Sequence, residues 1–175
     1  MTRIIALVLC SLSLALASMA QAATVSFISV LNGLSSVPAN ASTATGTATM
    51  SFDDVSNLFD LSINVTGLNK ASLTNSHIHL GATGVNGGIL FGLGAGSSPN
   101  WTDTTTGMSL ALTGQAFPAA NVADLLAGNT YLNLHTAAFS AGEVRGQLTP
   151  VPVPAAVWLL GSGLIALLGA ARAKP

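Results

Sequence analysis

Through most of residues 23–150 polar and apolar positions alternate with period two, the pattern of half-buried β-strands. The clearest run is residues 58–65, where Leu58, Asp60, Ser62 and Asn64 alternate with Phe59, Leu61, Ile63 and Val65. Two earlier strands are predicted over 25–31 and 44–52. The second joins 58–65 through Asp53-Asp54-Val55-Ser56-Asn57, where short polar side chains bond back to nearby amides and favour a turn. Later strands are predicted over 74–80, 89–93 and 108–113, and a final hairpin over 130–136 and 143–149. The glycine-rich stretch 81–88 joins two strands, and 94–107 reads as a polar, flexible connection. One helical segment, 119–127, follows Phe117-Pro118 and stops at Gly128, a residue suited to a C-cap. About eight short strands with one short helix predict an all-β fold, an antiparallel Greek-key-like sandwich or barrel.

The same alternation sorts the functional groups. In Ser76-His77-Ile78-His79-Leu80 the two histidines share one face, opposite Ile78. Tyr131, Asn133 and His135 share a face opposite Leu132 and Leu134. Glu143, Arg145 and Gln147 oppose Val144 and Leu148. Three predicted strands therefore each carry one apolar face and one face rich in functional groups, and the only three histidines of the chain lie on those faces.

The two ends follow a different logic. Residues 1–22 read as a secretory signal: Arg3 is the positive start, residues 4–17 are apolar, and Ala20-Gln21-Ala22 predicts cleavage after Ala22. Cys10, the only cysteine, lies inside that segment, so the mature chain would have neither disulfide nor thiol chemistry. At the other end Val151-Pro152-Val153-Pro154 breaks the preceding structure. Residues 155–171 are uncharged and apolar, near the lower length limit for a membrane-spanning helix. Arg172 and Lys174 follow and would hold that end on the cytoplasmic side. This tail resembles a PEP-CTERM sorting signal, with Val-Pro-Val-Pro standing where the family has a proline motif containing glutamate. The resemblance implies a Gram-negative exported protein that meets signal peptidase and an exosortase-type protease. It would pass through an inner-membrane-anchored intermediate to the cell surface or extracellular matrix.

Between the ends, six acids (Asp53, Asp54, Asp60, Asp103, Asp124 and Glu143) face two bases (Lys70 and Arg145), a net charge of −4. A mildly acidic domain with no basic patch is unsuited to nucleic acid. Its size is that of one ordinary domain.

The domain resembles the CHRD family. The matching pieces are Ala44-Thr45-Gly46-Thr47-Ala48, His77-Ile78-His79 with Gly84-Val85-Asn86-Gly87, the run from Leu125 through Gly128-Asn129-Thr130-Tyr131-Leu132-Asn133-Leu134-His135-Thr136, and Gly142-Glu143-Val144-Arg145-Gly146-Gln147-Leu148. Leu80 stands where the family usually has glycine. The resemblance implies an exported, sandwich-like domain and little chemistry.

Two readings of the histidine-bearing face stay open. In the first, the three histidines, Tyr131, Asn133, Glu143, Arg145 and Gln147 form a cross-strand hydrogen-bonded network or a binding face, in a structural or binding protein whose partner is an extracellular polysaccharide or surface protein. In the second, His77, His79 and His135, with Glu143 near, hold a single Zn or Cu ion, since both accept imidazole and carboxylate. Three histidines are too few for a binuclear centre. No serine stands in a nucleophile-elbow context and Asp53-Asp54 reads as a turn, so no catalytic residue and no organic cofactor is expected.

Overall fold

The structure, a computed structural model, describes residues 24–152. The signal segment with Cys10, the tail from Val153 onward and the apolar run 155–171 lie outside the described residues. Within them no helix is long and apolar enough to cross a membrane.

The strands are β1 (Thr24–Asn32), β2 (Thr45–Asp53), β3 (Leu58–Thr66), β4 (Leu73–Leu80), β5 (Ile89–Gly92), β6 (Trp101–Asp103) and β7 (Gly107–Ala116). A short helix α1 (Val122–Leu126) precedes β8 (Thr130–Thr136), β9 (Val144–Gln147) and β10 (Thr149–Pro150). Every pairing is antiparallel, in one sheet of order β5-β4-β8-β9-β1-β2-β3-β7-β6, with β10 beside β1.

The period-two pattern places the core. On β3, Phe59, Leu61, Ile63 and Val65 are buried and their alternates exposed. Ala48, Met50 and Phe52 continue that face on β2, and Ile78, Leu132, Leu134 and Val144 continue it across β4, β8 and β9. The sheet curls over this core until its two ends meet. Phe59 of β3 packs edge-on against Phe91 of β5 with ring centroids 5.1 Å apart. The indole N–H of Trp101 on β6 donates to Ser76 Oγ on β4 at 3.2 Å. Both ends of the sheet thus close on one apolar interior, where burial of large side chains contributes most of the stability.

The β2–β3 turn forms as its sequence predicts. Asp53 Oδ1 accepts from the amides of Val55 (2.8 Å) and Ser56 (3.1 Å), and Asn57 takes a positive φ of 57°. Gly128, at φ 74°, ends the helix in a Schellman arrangement, with Asn129 N donating to Asp124 O and Gly128 N to Leu125 O.

Three expectations need correction. The sheet has ten strands rather than about eight. One addition is β10: Leu148 N bonds to Thr130 O of β8 while the next two residues pair with β1, so the predicted strand 143–149 divides at Leu148. The other is β6, inside the predicted flexible stretch 94–107. Three residues are too few to show alternation, and it is the fully buried Trp101 that fixes them. The predicted helix 119–127 is a 3-10 turn (Ala119–Asn121) followed by α1. Asn121, at φ −113° and ψ 10°, leaves the helical region between them.

Candidate metal centre

β4, β8 and β9 are neighbours in the sheet, and their register assembles the polar face. His77 lies opposite Asn133 and His79 opposite Tyr131 across β4–β8. Asn133 lies opposite Arg145 and Tyr131 opposite Gln147 across β8–β9. A slip of one residue would turn all of these groups to the other side, so burial of Ile78, Leu132, Leu134 and Val144 fixes the register and with it the site. The face is not bare: residues 81–88 and 137–142 lie against it.

The three histidine side chains converge. Ring centroids are 5.3 Å apart for His77–His79 and for His77–His135, and 6.1 Å for His79–His135. One nitrogen from each falls in a group whose members all lie within 4.8 Å of one another. The hydrogen bonds identify which nitrogens are free. His79 Nδ1 contacts Gly87 O at 3.0 Å and His135 Nδ1 contacts Ser140 O at 2.9 Å. A carbonyl oxygen only accepts, so both Nδ1 atoms carry the proton and both Nε2 atoms are bare lone pairs. His79 Nε2, His135 Nε2 and His77 Nδ1 are all buried without a hydrogen-bond partner. An ion bound to three imidazoles at about 2.0–2.1 Å would hold the nitrogens about 3.4 Å apart.

The Nε2 lone pairs of His79 and His135 cannot satisfy one another, and His77 Nδ1 has no partner in either tautomer. The electrostatics agree: burial, then the neighbouring His79 and His135, pushes His77 down to about 4. Burial likewise lowers His79, against the opposing effect of its bond to Gly87. The rings of His77 and His79 are therefore neutral at pH 7, the form that ligates metals.

The other polar residues of the face hold it together. Among the described residues no carboxylate pairs with the buried Arg145. Its guanidinium donates to Val85 O (2.8 Å), Ala82 O (3.1 Å) and Asn86 Oδ1 (3.1 Å), and lies 3.5 Å from the centroid of the Tyr131 ring. Tyr131 in turn stacks on His79, and its hydroxyl accepts from Gly87 N at 3.1 Å. Gln147 donates to Gly81 O and Gly128 O, both at 2.8 Å. Asn133 Nδ2 donates to Ala141 O at 3.1 Å.

Glu143, placed near the histidines by the sequence reading, faces elsewhere. Its carboxylate accepts from Ser42 Oγ at 2.7 Å and from Thr136 Oγ1. It belongs neither to the convergent group nor to a pair with Arg145, whose bonds all go to residues 82–86. The face thus divides into three convergent histidines and a surrounding set that pins loops. The loop carbonyls of Gly87 and Ser140 are the groups that sequence reasoning missed. Backbone acceptors have no residue signature, and only the glycine-rich character of 81–88 hinted that the chain comes close. Gly87 has to be glycine on steric grounds, because a Cβ there would overlap Leu80 O.

The family model described as CHRD domain matches residues 27–148. No curated protein matches the chain.

Proposed function

Because the chain belongs to the CHRD domain family, a family found in extracellular proteins, we propose that it is an exported bacterial surface or matrix protein whose domain holds one Zn or Cu ion on His77, His79 and His135. One observation carries the metal reading: three imidazole nitrogens, buried and without hydrogen-bond partners, converge on a common point. An unpaired buried acceptor costs about 1–3 kcal/mol, and a cation shared among three removes that cost together. The far nitrogens of His79 and His135 are already held by carbonyls, the arrangement by which ligand histidines are oriented and their basicity raised. All three donors are neutral nitrogen, which suits Zn and Cu better than the oxygen-seeking Ca or Mg.

Tyr131, Asn133, Glu143, Arg145 and Gln147 have the other role weighed for this face. They are a structural network: Tyr131, Asn133, Arg145 and Gln147 fix the loops around the histidines, and Glu143, which faces elsewhere, holds Ser42 and Thr136. Any polysaccharide or surface partner would meet those loops rather than the strands beneath.

The metal reading is tested by elemental analysis of the full chain purified from its host, beside the His77→Ala/His79→Ala variant. About one Zn or Cu per chain, lost in the folded variant, is expected; metal-free native protein sinks the reading. Export rests on the pattern of residues 1–22 and on the likeness of 151–175 to a PEP-CTERM signal. Intact mass of the mature protein checks both: a start at Ala23 and an end near Val151-Pro152-Val153-Pro154 are expected. An uncut chain would refute processing by signal peptidase and an exosortase-type protease.

A further inference from the structure

If the three histidines bind a metal ion, as proposed above, their surroundings say what else that ion would bind. Among the described residues the convergent group contains three ligands and no more. Glu143 faces away from the histidines and has both carboxylate oxygens engaged by Ser42 and Thr136. Three neutral imidazoles leave the full charge of a divalent ion uncompensated. A cation is linked to the site through one ring: Arg145 packs on Tyr131, which stacks on His79 with ring centroids 5.0 Å apart. Arg145 itself is answered only by neutral oxygens and a ring. With an ion bound, the site would combine two positive centres, and among the described residues no acid joins the convergent group. Charges in a partly desolvated setting interact more strongly than in water.

The three residues differ in cover. His79 is buried, whereas His77 and His135 are partly exposed as residues, although the converging nitrogen of each is itself buried. Three protein ligands with the last position left open is the pattern of metal sites that bind water or substrate rather than of closed structural sites.

From this we infer that the metal on His77, His79 and His135 keeps an open coordination position, reached from the His77–His135 side, that takes an anionic donor of the carboxylate class from outside the protein. The ligand is recognised twice, by direct bonding to the metal and by the positive field that Arg145 adds from behind Tyr131. One group on the face competes for the position. Asn133 Oδ1 is buried and unpartnered on the same side of the sheet, and would close the site from within if it turned to the ion.

Cobalt(II) substitution tests this, because the visible bands of Co(II) report its ligands. The metal-free full chain is first titrated with Co(II). One equivalent giving an intense tetrahedral band, absent in His79→Ala, supports the metal reading; failure to bind Co(II) overturns that reading and this inference with it. The Co(II) form is then titrated with azide, acetate and, as a neutral donor, imidazole. Saturable band shifts with azide and acetate, weakened at least several-fold by raising the salt concentration, are expected. A stoichiometric Co(II) band that neither anion moves would leave metal binding standing and overturn the open position, and Asn133→Ala would then show whether that amide closes it. Shifts with imidazole alone would overturn the anion preference.

Discussion

The ring of Tyr131 lies flat on that of His79, with centroids 5.0 Å apart and planes within 7° of parallel. The two residues are direct cross-strand partners on β8 and β4. Gly87 closes a triangle with them, its N–H on the Tyr131 hydroxyl and its carbonyl on His79 Nδ1. A single loop residue therefore orients both the candidate ligand and the ring that supports it.

Tyr131→Phe removes the hydroxyl while keeping the stack. The Gly87 amide loses its acceptor, and because Gly87 is exposed its N–H can turn to water, so the cost is about 0.5–1.5 kcal/mol. Urea unfolding should show a lower midpoint with unchanged slope. Hydrogen exchange should quicken at residues 81–88 and stay unchanged in β2 and β3. Equal exchange in that loop would contradict the assigned role.

Acidification should destabilise the metal-free protein. His77 titrates near 6.5 when unfolded and near 4 when folded, because burial and its two histidine neighbours disfavour the charged form. A folded-state value below the unfolded one means that the unfolded chain takes up the proton first. Stability is then complete above about 6.5, falls as pH drops toward 4 and levels out below it. His77→Gln should flatten that segment of the stability–pH curve. A wild-type curve with no slope there would refute the assignment.

Glu143→Gln separates network from ligand. The change weakens the bonds from Ser42 and Thr136, and a loss of about 1–3 kcal/mol is expected. Metal content should remain at the native stoichiometry, since Glu143 lies outside the convergent group. Loss of metal from a folded Glu143→Gln protein would restore Glu143 as a ligand.

Trp101→Phe tests the closure of the sheet. It deletes the indole bond to Ser76 and leaves a partly empty space in a fully buried position. The cost should be about 2–4 kcal/mol, combining the lost indole bond to Ser76, whose hydroxyl still donates to Gly94 O, with a small cavity. Thermal melting would register it. A loss below about 0.5 kcal/mol would mean that the two ends of the sheet do not depend on that contact.

Ion binding should raise the melting temperature in proportion to occupancy. At a free concentration one hundred times the dissociation constant, the native state gains about 2.7 kcal/mol. The same ion added to His77→Ala/His79→Ala should leave its melting temperature unchanged. A similar gain in the variant would locate the binding elsewhere.

Much of this molecule was readable in one dimension. Strict alternation in β3 named Phe59, Leu61, Ile63 and Val65 as core, because a strand offers only two faces and water selects between them. The same rule put His77 with His79, and Tyr131 with Asn133 and His135, and the structure keeps each of those groupings. Turn chemistry located Asp53–Asn57 and Gly128, where a side chain or a missing one decides the local backbone. What the sequence could not decide is which faces meet and which loops cover them. Pairing of β4 with β8, and of β8 with β9, is set by the best shared burial of Ile78, Leu132, Leu134 and Val144, a property of several strands at once. Glu143 and Arg145, two residues apart on one predicted strand, read as natural partners, yet each found better ones across the fold: hydroxyls of Ser42 and Thr136 for the acid, loop oxygens and a ring for the base. The carbonyls of Gly87 and Ser140 left no trace in residue type, because every residue carries one. They fix the proton on Nδ1 of His79 and His135 and leave Nε2 bare. The histidine face was therefore legible from the alternation of side chains. Its lone pairs facing inward, unpartnered, followed only from where two loops come to rest.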